Sequence, residues 1–279
     1  MFYYYAHTSH RGNLDTLRRG VAFIKELAKL NRKVTLLVND FRAGIVAKEL
    51  GVSDVLNMET ISDIDLVLEY GDKLLIDSSE ELPLQFASFC RDFTVFRVAQ
   101  TCGEIAIHNE TMIYPWISEV NQAIFIDKAY DEVLPKIERT LYFFGDSDSQ
   151  KIILQNAEFF KASKMEMLLG HYFYLQYESE IELLFSKIHE AEEYTELIRS
   201  SSHIVTSSLQ CVLEARISGA KTTFLATSEL QQCQKELLEA YSIKIINGFN
   251  QNFSTNISDK NIDTVRKVQY KTDYNLFLS

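Results

Sequence analysis

The segment between Ser200 and Leu225 combines hydroxyl side chains with one acidic residue at a spacing that suits nucleotide binding. A short β-branched run ends at Ser207 and Ser208, and a helix-like apolar pattern follows. Hydroxyl residues that open a helix leave free backbone N–H groups and the positive end of the helix dipole directed at one place, which suits a phosphate. Glu214 follows on the same predicted helix, where its carboxylate can reach a ribose hydroxyl. A capped helix in any parallel α/β unit gives the same local pattern.

A second polar segment, His7 to Asn13, follows the first predicted strand and leads into a helix. It contains two histidines, an arginine and Gly12, which is the composition of a turn that faces a bound anion. A neutral imidazole there, such as that of His10, can act as a general base toward water or a hydroxyl, because its pKa lies near neutral pH. A solvated polar loop is the alternative interpretation.

Two more candidate positions follow predicted strands. Asp77 comes directly after the fourth strand, where a carboxylate can orient a histidine, hold a sugar hydroxyl, or simply cap the next helix. Gly145 lets the backbone of a later loop approach a ligand closely, and Ser147 adds a hydroxyl. Asp146 and Asp148 in the same loop would repel a phosphate unless they point away or cap the helix that follows.

The overall composition excludes several function classes. The chain has 279 residues and a net charge of −11, and no run of Lys or Arg exceeds a pair, which argues against nucleic acid or an anionic membrane as the main partner. No GxGxxG or GxxxxGK[ST] loop and no clustered metal ligands occur, so we expect neither a metal nor another cofactor. No signal peptide or membrane-spanning run is evident, which favours the cytoplasm. The sequence does not indicate an oligomeric state.

The cysteines are widely spaced and form no CxxC pair, so neither a disulfide framework nor a zinc site is indicated. They are Cys90, Cys102, Cys211 and Cys233. This pattern fits a reducing compartment and again favours the cytoplasm.

Strand-like and helix-like segments alternate along the whole chain, which predicts an α/β protein with two Rossmann-like domains whose parallel sheets face a central cleft. Later in the chain, we predict a helix over 149–160, a strand over 171–175, a helix over 179–189 and a possible helix over 262–268. The predicted divisions are an N-terminal domain over 1–122, a connector over 123–138, a C-terminal nucleotide-binding domain over 139–249, and a polar segment over 250–279 that frays or crosses back to the first domain. Ligands of open parallel sheets bind beyond the carboxyl ends of the strands, where the candidate residues lie.

In the order of its motifs, the chain resembles the glycosyltransferase-B (GT-B) superfamily of nucleotide-sugar enzymes. It is most similar to the UDP-sugar hydrolases of pseudaminic acid biosynthesis, and it also looks like the transferase that adds N-acetylglucosamine to lipid-linked muramyl peptide. KLLIDSS (73–79) looks like the hydrolase strand that ends in Asp, and AIFIDKAYDE (123–132) resembles the stretch before the second domain. YFFGDSDSQ (142–150) looks like the GGTD loop, and SSLQCVLEARISG (207–219) keeps the superfamily's Ser-to-Glu-to-Gly spacing.

The resemblance implies a UDP-sugar as the partner, with uracil and ribose held by the second domain. Glu214 would contact the ribose, and the diphosphate would lie near Ser207, Ser208 and the Gly145 loop. In these hydrolases a histidine in a GxGHxxR loop activates water for attack on the anomeric carbon and expels UDP without a metal. Here the residue after Gly12 is Asn13, and His10 lies three positions earlier.

We therefore predict a nucleotide-sugar enzyme, with His10 as base, Asp77 nearby, and Arg18 or Arg19 holding phosphate charge. Attack by water makes it a UDP-sugar hydrolase, and attack by an acceptor hydroxyl makes it a glycosyltransferase. A GT-B-like binding or assembly protein without catalysis is the alternative, motivated by Asn13, by Asp146 at a glycine position and by the scarcity of glycine. A ligand receptor of the periplasmic-binding type is a weaker alternative.

Overall fold

The computed structural model describes residues 1–132, 134–173, 175–249 and 272–278. Six parallel strands form the first sheet in the order β3-β2-β1-β4-β5-β6. These strands are β1 (Phe2–Ala6), β2 (Val34–Val38), β3 (Val55–Asn57), β4 (Lys73–Asp77), β5 (Thr94–Val98) and β6 (Thr111–Ile113). The strand order reverses between β1 and β4, so the loops after these two strands flank the crevice of this sheet.

A second parallel sheet has six strands in the order β12-β11-β10-β7-β8-β9. They are β7 (Ile137–Phe143), β8 (Glu166–Leu168), β9 (Lys187–His189), β10 (Ser201–Thr206), β11 (Lys221–Ala226) and β12 (Lys244–Asn247). Here the order reverses between β7 and β10. We call the parts of the chain that build the two sheets the first and second domains, and the predicted α/β class is confirmed.

Nine α-helices connect the strands of the described residues. They are α1 (Asp15–Lys29), α2 (Phe41–Glu49), α3 (Phe86–Asp92), α4 (Ile152–Gln155), α5 (Ala157–Ser163), α6 (Leu175–Ile181), α7 (Tyr194–Ser200), α8 (Leu209–Ile217) and α9 (Gln232–Ala240). Helix α1 buries Leu17, Val21 and Ile24 on one face, in agreement with its apolar period. It packs directly against α8 of the second domain.

The C-terminal residues 272–278 lie on the first domain. Phe277 is buried in the same apolar cluster as Phe23 on α1, and the two ring centroids are 4.9 Å apart. Lys73 Nζ donates a hydrogen bond of 3.2 Å to the Phe277 carbonyl. The helix predicted over 262–268 lies outside the described residues. No helix in the described part of the chain is long and apolar enough to cross a membrane.

Several elements of the second domain differ from the prediction. The strand predicted over 171–175 is wrong, because residues 171–172 form a turn in which Tyr172 N donates to the Asp146 carbonyl. The helix predicted over 179–189 is also wrong, since α6 ends at Ile181 and residues 187–189 form strand β9. The helix predicted over 149–160 divides into α4 and α5 at Asn156.

A disulfide joins Cys102 in the loop after β5 to Cys233 in α9, so the expectation of no disulfide was wrong. The two cysteines are 131 residues apart and lie on different domains. Short-range spacing therefore carried no signal for this pair. Cys90 and Cys211 are free and buried.

Candidate functional site

The loop after β1 touches the loop after β7, so residues 7–14 of the first domain meet residues 144–148 of the second. Leu14 N donates to Asp146 Oδ2 at 2.8 Å, and Asp146 N donates to Asn13 Oδ1 at 3.2 Å. Gly145 packs so closely on the Asn13 side chain that a β-carbon would overlap with it. Gly12 lies further back, where its N–H closes a turn on the Ser9 carbonyl. The structure thus brings together two of the four segments that the sequence singled out, and the start of α8, a third, joins them through Asp15.

A buried ion pair between Arg18 and Asp146 crosses this contact. The guanidinium donates to both carboxylate oxygens, at 2.7 and 2.8 Å, and the side chains are 4% and 0% exposed. Arg18 also lies over the Tyr194 ring, 4.1 Å from its centroid. Burial by itself would raise the pKa of the Asp146 carboxyl, but the charge and hydrogen bonds of Arg18 and the Leu14 N–H outweigh it and lower the pKa. Asp146 is therefore ionised and holds the start of α1.

The start of α8 is occupied in the same way by a carboxylate from the first domain. Ser208 is the N-cap residue, and its Oγ accepts from Cys211 N at 3.0 Å. The same hydroxyl donates to Asp15 Oδ1 at 2.7 Å, and Gln210 N donates to Asp15 Oδ2 at 3.4 Å. Burial raises the pKa of Asp15, partly offset by Arg18 and Ser208. The helix end predicted to hold phosphate thus holds the side chain of Asp15.

Helices α1 and α8 therefore cap each other reciprocally. Helix α1 has no hydrogen bond from its own N-cap side chain and takes the carboxylate of Asp146 from the second domain. Helix α8 takes Asp15 from the first. A negative charge at each N-terminus interacts favourably with the helix dipole, so both contacts pull the domains together. We call these two contacts the reciprocal caps.

Glu214 lies behind the reciprocal caps and is only 2% exposed. Tyr194 OH donates to Oε2 at 2.7 Å, and Gln210 Nε2 donates to Oε1 at 2.9 Å. Burial raises the pKa of Glu214 to about 7, although Arg18, Gln210 and Tyr194 act in the opposite direction. The residue lines a cavity of about 300 Å³ between the domains, which is also lined by Arg18 and His171. Glu214 thus faces the interdomain space, but its oxygens already have partners.

Ser207 precedes the N-cap residue of α8 and is not part of the reciprocal caps. Its backbone N–H donates to the Phe143 carbonyl at 3.3 Å. Ser147 is buried. Asp148 has a structural role: its oxygens accept from Ile152 N and Ile153 N at 2.8 and 2.9 Å at the start of α4. Asp148 thus caps the helix that follows, which is one of the two arrangements that the sequence analysis allowed.

The structure does not bring the side chains of His10 and Asp77 together. Asp77 is fully buried within the first domain, where Arg19 donates to both of its oxygens at 2.8 and 2.9 Å. Tyr4 OH and Gln100 Nε2 complete its shell at 2.8 and 3.1 Å. Arg19 therefore pairs with Asp77 and is not directed at a ligand. Asp77 in turn links the residues at the base of the crevice in the first sheet.

His10 has a different carboxylate beside it. Its side chain is 62% exposed, and Nδ1 lies 3.6 Å from Asp40 Oδ2 at the end of β2. The ring packs edge-on against Tyr172 of the second domain, with centroids 5.2 Å apart. Tyr172 OH also donates to Asp40. His10 thus lies at the mouth of the interdomain space between a carboxylate of one domain and an aromatic ring of the other.

Sequence reasoning missed Asp15, Asp40, Tyr194 and Gln210. The only available signal was position, because Asp15 opens a helix and Asp40 follows a strand. Their partners come from distant parts of the chain, which spacing does not reveal. No group of three or more His, Cys, Asp or Glu side chains among the described residues is placed to hold a metal ion.

Comparison with known proteins identifies the architecture. No family model and no curated protein sequence matches this chain. A putative UDP-N-acetylglucosamine 2-epimerase from Listeria monocytogenes matches its structure with a TM-score of 0.53 at 12% identity, over 88% of this chain and 84% of that one. Another UDP-N-acetylglucosamine 2-epimerase gives 0.51 at 12%, over 88% and 83%. AviGT4, a glycosyltransferase involved in avilamycin A biosynthesis, gives 0.50 at 12%, over 90% and 86%. At such identities the likeness concerns the fold, and this chain has the GT-B fold.

Proposed function

We propose that this chain is a nucleotide-sugar enzyme that binds a UDP-sugar between its domains and releases UDP by attack at the anomeric carbon. The observation that carries the proposal is the set of anion-binding groups at the reciprocal caps. The guanidinium of Arg18 and the N–H groups of Leu14 and Gln210 meet between the carboxyl ends of both sheets. The GT-B fold is shared with solved UDP-N-acetylglucosamine epimerases and a glycosyltransferase, which supports the same substrate class.

A diphosphate would replace the two carboxylates that now occupy these groups. Asp15 and Asp146 offer anionic oxygens to the same donors that would bind phosphate oxygens, so the donors stay satisfied in either state. Opening of the domains would return both carboxylates to water and free the start of α8. The cavity lined by Glu214 and Arg18 lies directly behind the reciprocal caps and would bind the nucleoside part of the ligand. The same groups thus serve as self-contacts in the closed protein and as ligand contacts in the open one.

His10 is the proposed general base, with Asp40 rather than Asp77 beside it. In the hydrolase reaction the Nε2 atom takes a proton from water while the water oxygen bonds to the anomeric carbon. The bond from that carbon to the diphosphate oxygen breaks, and the electron pair leaves with UDP, whose charge Arg18 and the N-terminus of α8 stabilise. A glycosyltransferase would use the same groups with an acceptor hydroxyl in place of water.

The test measures UDP binding and UDP release in wild type and three variants. UDP at millimolar concentration is expected to raise the Tm of the wild type by mass action. Asp15→Asn is expected to bind UDP more tightly, because it removes the charge that competes for Ser208 and Gln210. His10→Ala is expected to reduce UDP release from UDP-sugars by about a hundredfold or more, the loss typical of a general base. His108→Ala, at another exposed histidine, is the matched control and should keep full activity.

A second candidate is a GT-B-like binding or assembly protein without catalysis. The specific observation in its favour is that the reciprocal caps already satisfy the groups expected to bind phosphate, while Asp77 is neutralised by Arg19. Asn13 also stands where the similar hydrolases carry histidine. A Tm that is unchanged by UDP and UDP-sugars in both the wild type and Asp15→Asn would support this candidate and reject the enzyme.

A further inference from the structure

The disulfide between Cys102 and Cys233 is a covalent link across the domain boundary. Cys102 lies four residues after the end of β5 on the first sheet, and Cys233 lies in the first turn of α9 beside the second sheet. Gln231 reinforces the link, because its Oε1 accepts from Cys102 N at 2.7 Å. This link is separate from the reciprocal caps, which are formed by α1 and α8.

The loop that carries Cys102 is held in place by contacts within its own domain. Glu104 Oε2 accepts from Gln100 N at 2.8 Å and from Thr101 N at 3.3 Å, and Glu104 also pairs with the buried Arg97. Cleavage of the disulfide would therefore leave the conformation of this loop unchanged. What it would release is the covalent attachment of α9 to that loop, which leaves only the hydrogen bond to Gln231 on this side of the interdomain groove.

A cavity of about 190 Å³ lies between the domains next to the disulfide. Gln100 and Gln234 line it, and each is close in sequence to one of the bridged cysteines. Trp116, the only tryptophan of the chain, is part of the same wall. The disulfide thus fixes the rim of a groove that contains a single fluorescent reporter.

We propose that Cys102–Cys233 is a redox-controlled clamp that holds this groove closed and opens it on reduction by a dithiol. The two residues differ in exposure, since Cys102 is half-buried and Cys233 is 8% exposed, so the attack is placed on Cys102. A reductant thiolate attacks Cys102 Sγ, the Sγ–Sγ bond breaks, and Cys233 leaves as a thiolate at the N-terminus of α9, where the helix dipole favours negative charge.

The second thiolate of the dithiol then attacks the sulfur of its own molecule in the mixed disulfide, which releases Cys102 as a thiolate. The reductant becomes a cyclic disulfide, the protein gains two electrons, and both cysteines take up protons. Access to the groove changes with the redox state of this pair, independently of any nucleotide.

The test uses acrylamide quenching of Trp116 in the whole protein with no ligand present. Addition of dithiothreitol is expected to raise the quenching constant about twofold, as the groove opens and exposes the ring. Alkylation by iodoacetamide, followed by mass measurement, reports how many cysteines have been freed. Cys102→Ser and Cys233→Ser should each show the high quenching constant without reductant and no response to it. Cys90→Ser is the matched control, since it removes a free buried cysteine and should respond as the wild type does.

Two outcomes overturn the proposal. One is a quenching constant that stays unchanged although alkylation shows both cysteines to be free. The other is protein purified without reductant in which Cys102 and Cys233 are already alkylated in full. If one serine variant fails to fold, the other variant and the reduced wild type still decide the question. Both outcomes are measured with no nucleotide present, so this proposal and the proposed function can fail separately.

Discussion

Asp146→Asn tests whether the buried ion pair joins the domains in solution. The substitution keeps the size of the side chain and one acceptor for Leu14 N, but it removes the charge opposite Arg18. Both side chains are almost completely buried, and the guanidinium contacts both carboxylate oxygens. Removing one partner of such a pair leaves an uncompensated buried charge and typically costs about 3–5 kcal/mol of unfolding free energy.

The expected value for this pair is at the lower end of that range, about 3 kcal/mol. Arg18 keeps two other interactions after the substitution. Its Nη1 lies 3.7 Å from Asp15 Oδ1, and the guanidinium stays over the Tyr194 ring. Both partially compensate the buried charge.

Urea unfolding followed by far-ultraviolet circular dichroism at about pH 7 measures the effect. The matched control is Glu180→Gln, which breaks a pair with Lys151 at 3.0 Å whose side chains are 47% and 55% exposed. Such an exposed pair is expected to contribute below about 1 kcal/mol. If Asp146→Asn costs no more than this control, the buried ion pair does not hold the domains together and the reciprocal caps do not stabilise the closed protein.

The pH dependence provides an independent check on the same pair. Because the pKa of Asp146 is lowered in the folded protein, its contribution is present above the unfolded carboxyl value of about 3.9 and is lost as the pH falls through the folded value. The difference between wild type and Asp146→Asn should therefore shrink below about pH 4. A difference that stays constant down to acid unfolding would assign the effect to shape rather than charge.

Two further substitutions test other parts of the site. Burial raises the pKa of Glu214 to about 7, so its stabilising effect is present below its unfolded pKa and is lost as the pH rises through the folded value. Wild type should lose about 3 kcal/mol relative to Glu214→Gln between about pH 5 and about pH 8 in urea unfolding, and a parallel pH course would contradict the assignment. Gly170→Ala places a β-carbon into the Asp146 backbone and should be strongly destabilising, whereas Gly12→Ala, whose β-carbon would lie 3.6 Å from its nearest neighbour, should change the Tm little. Equal Tm values for the two variants would refute the packing described for the loop after β7.

The local pattern of the sequence predicts most strands of the two sheets, although not β6 or β9, because a parallel strand is buried on both faces and appears as a nearly continuous apolar run. Runs such as those of β1 and β2 need no partner to be recognised. The segment HYFYL (171–175) failed for the opposite reason. Its aromatic residues favour a strand, but Tyr172 is directed toward Asp40 of the other domain and its N–H is taken by Asp146. A tertiary contact thus overrode local propensity.

The placement of the site was only partly predictable, for a related physical reason. The loops follow from the rule that crevices form where the strand order reverses, so the Gly145 and Ser208 segments could be selected. The ion partners could not, because Arg18 and Asp146 are far apart in sequence and each has several possible partners. The sequence shows Asp146 as an acidic residue where the similar hydrolases have glycine. The guanidinium of Arg18, which pairs with it, explains why a carboxylate stands there.

The reciprocal caps also determine how a binding measurement should be interpreted. A ligand that needs the open protein binds with its intrinsic affinity reduced by the fraction of molecules that are open. Asp15 and Asp146 are tethered to the positions that they occupy, so they compete at a high effective concentration. A weak UDP affinity in the wild type therefore does not by itself indicate a poor site. The ratio of the UDP affinities of Asp15→Asn and the wild type reports the competition directly, and a ratio near one would mean that Asp15 does not stand where phosphate binds.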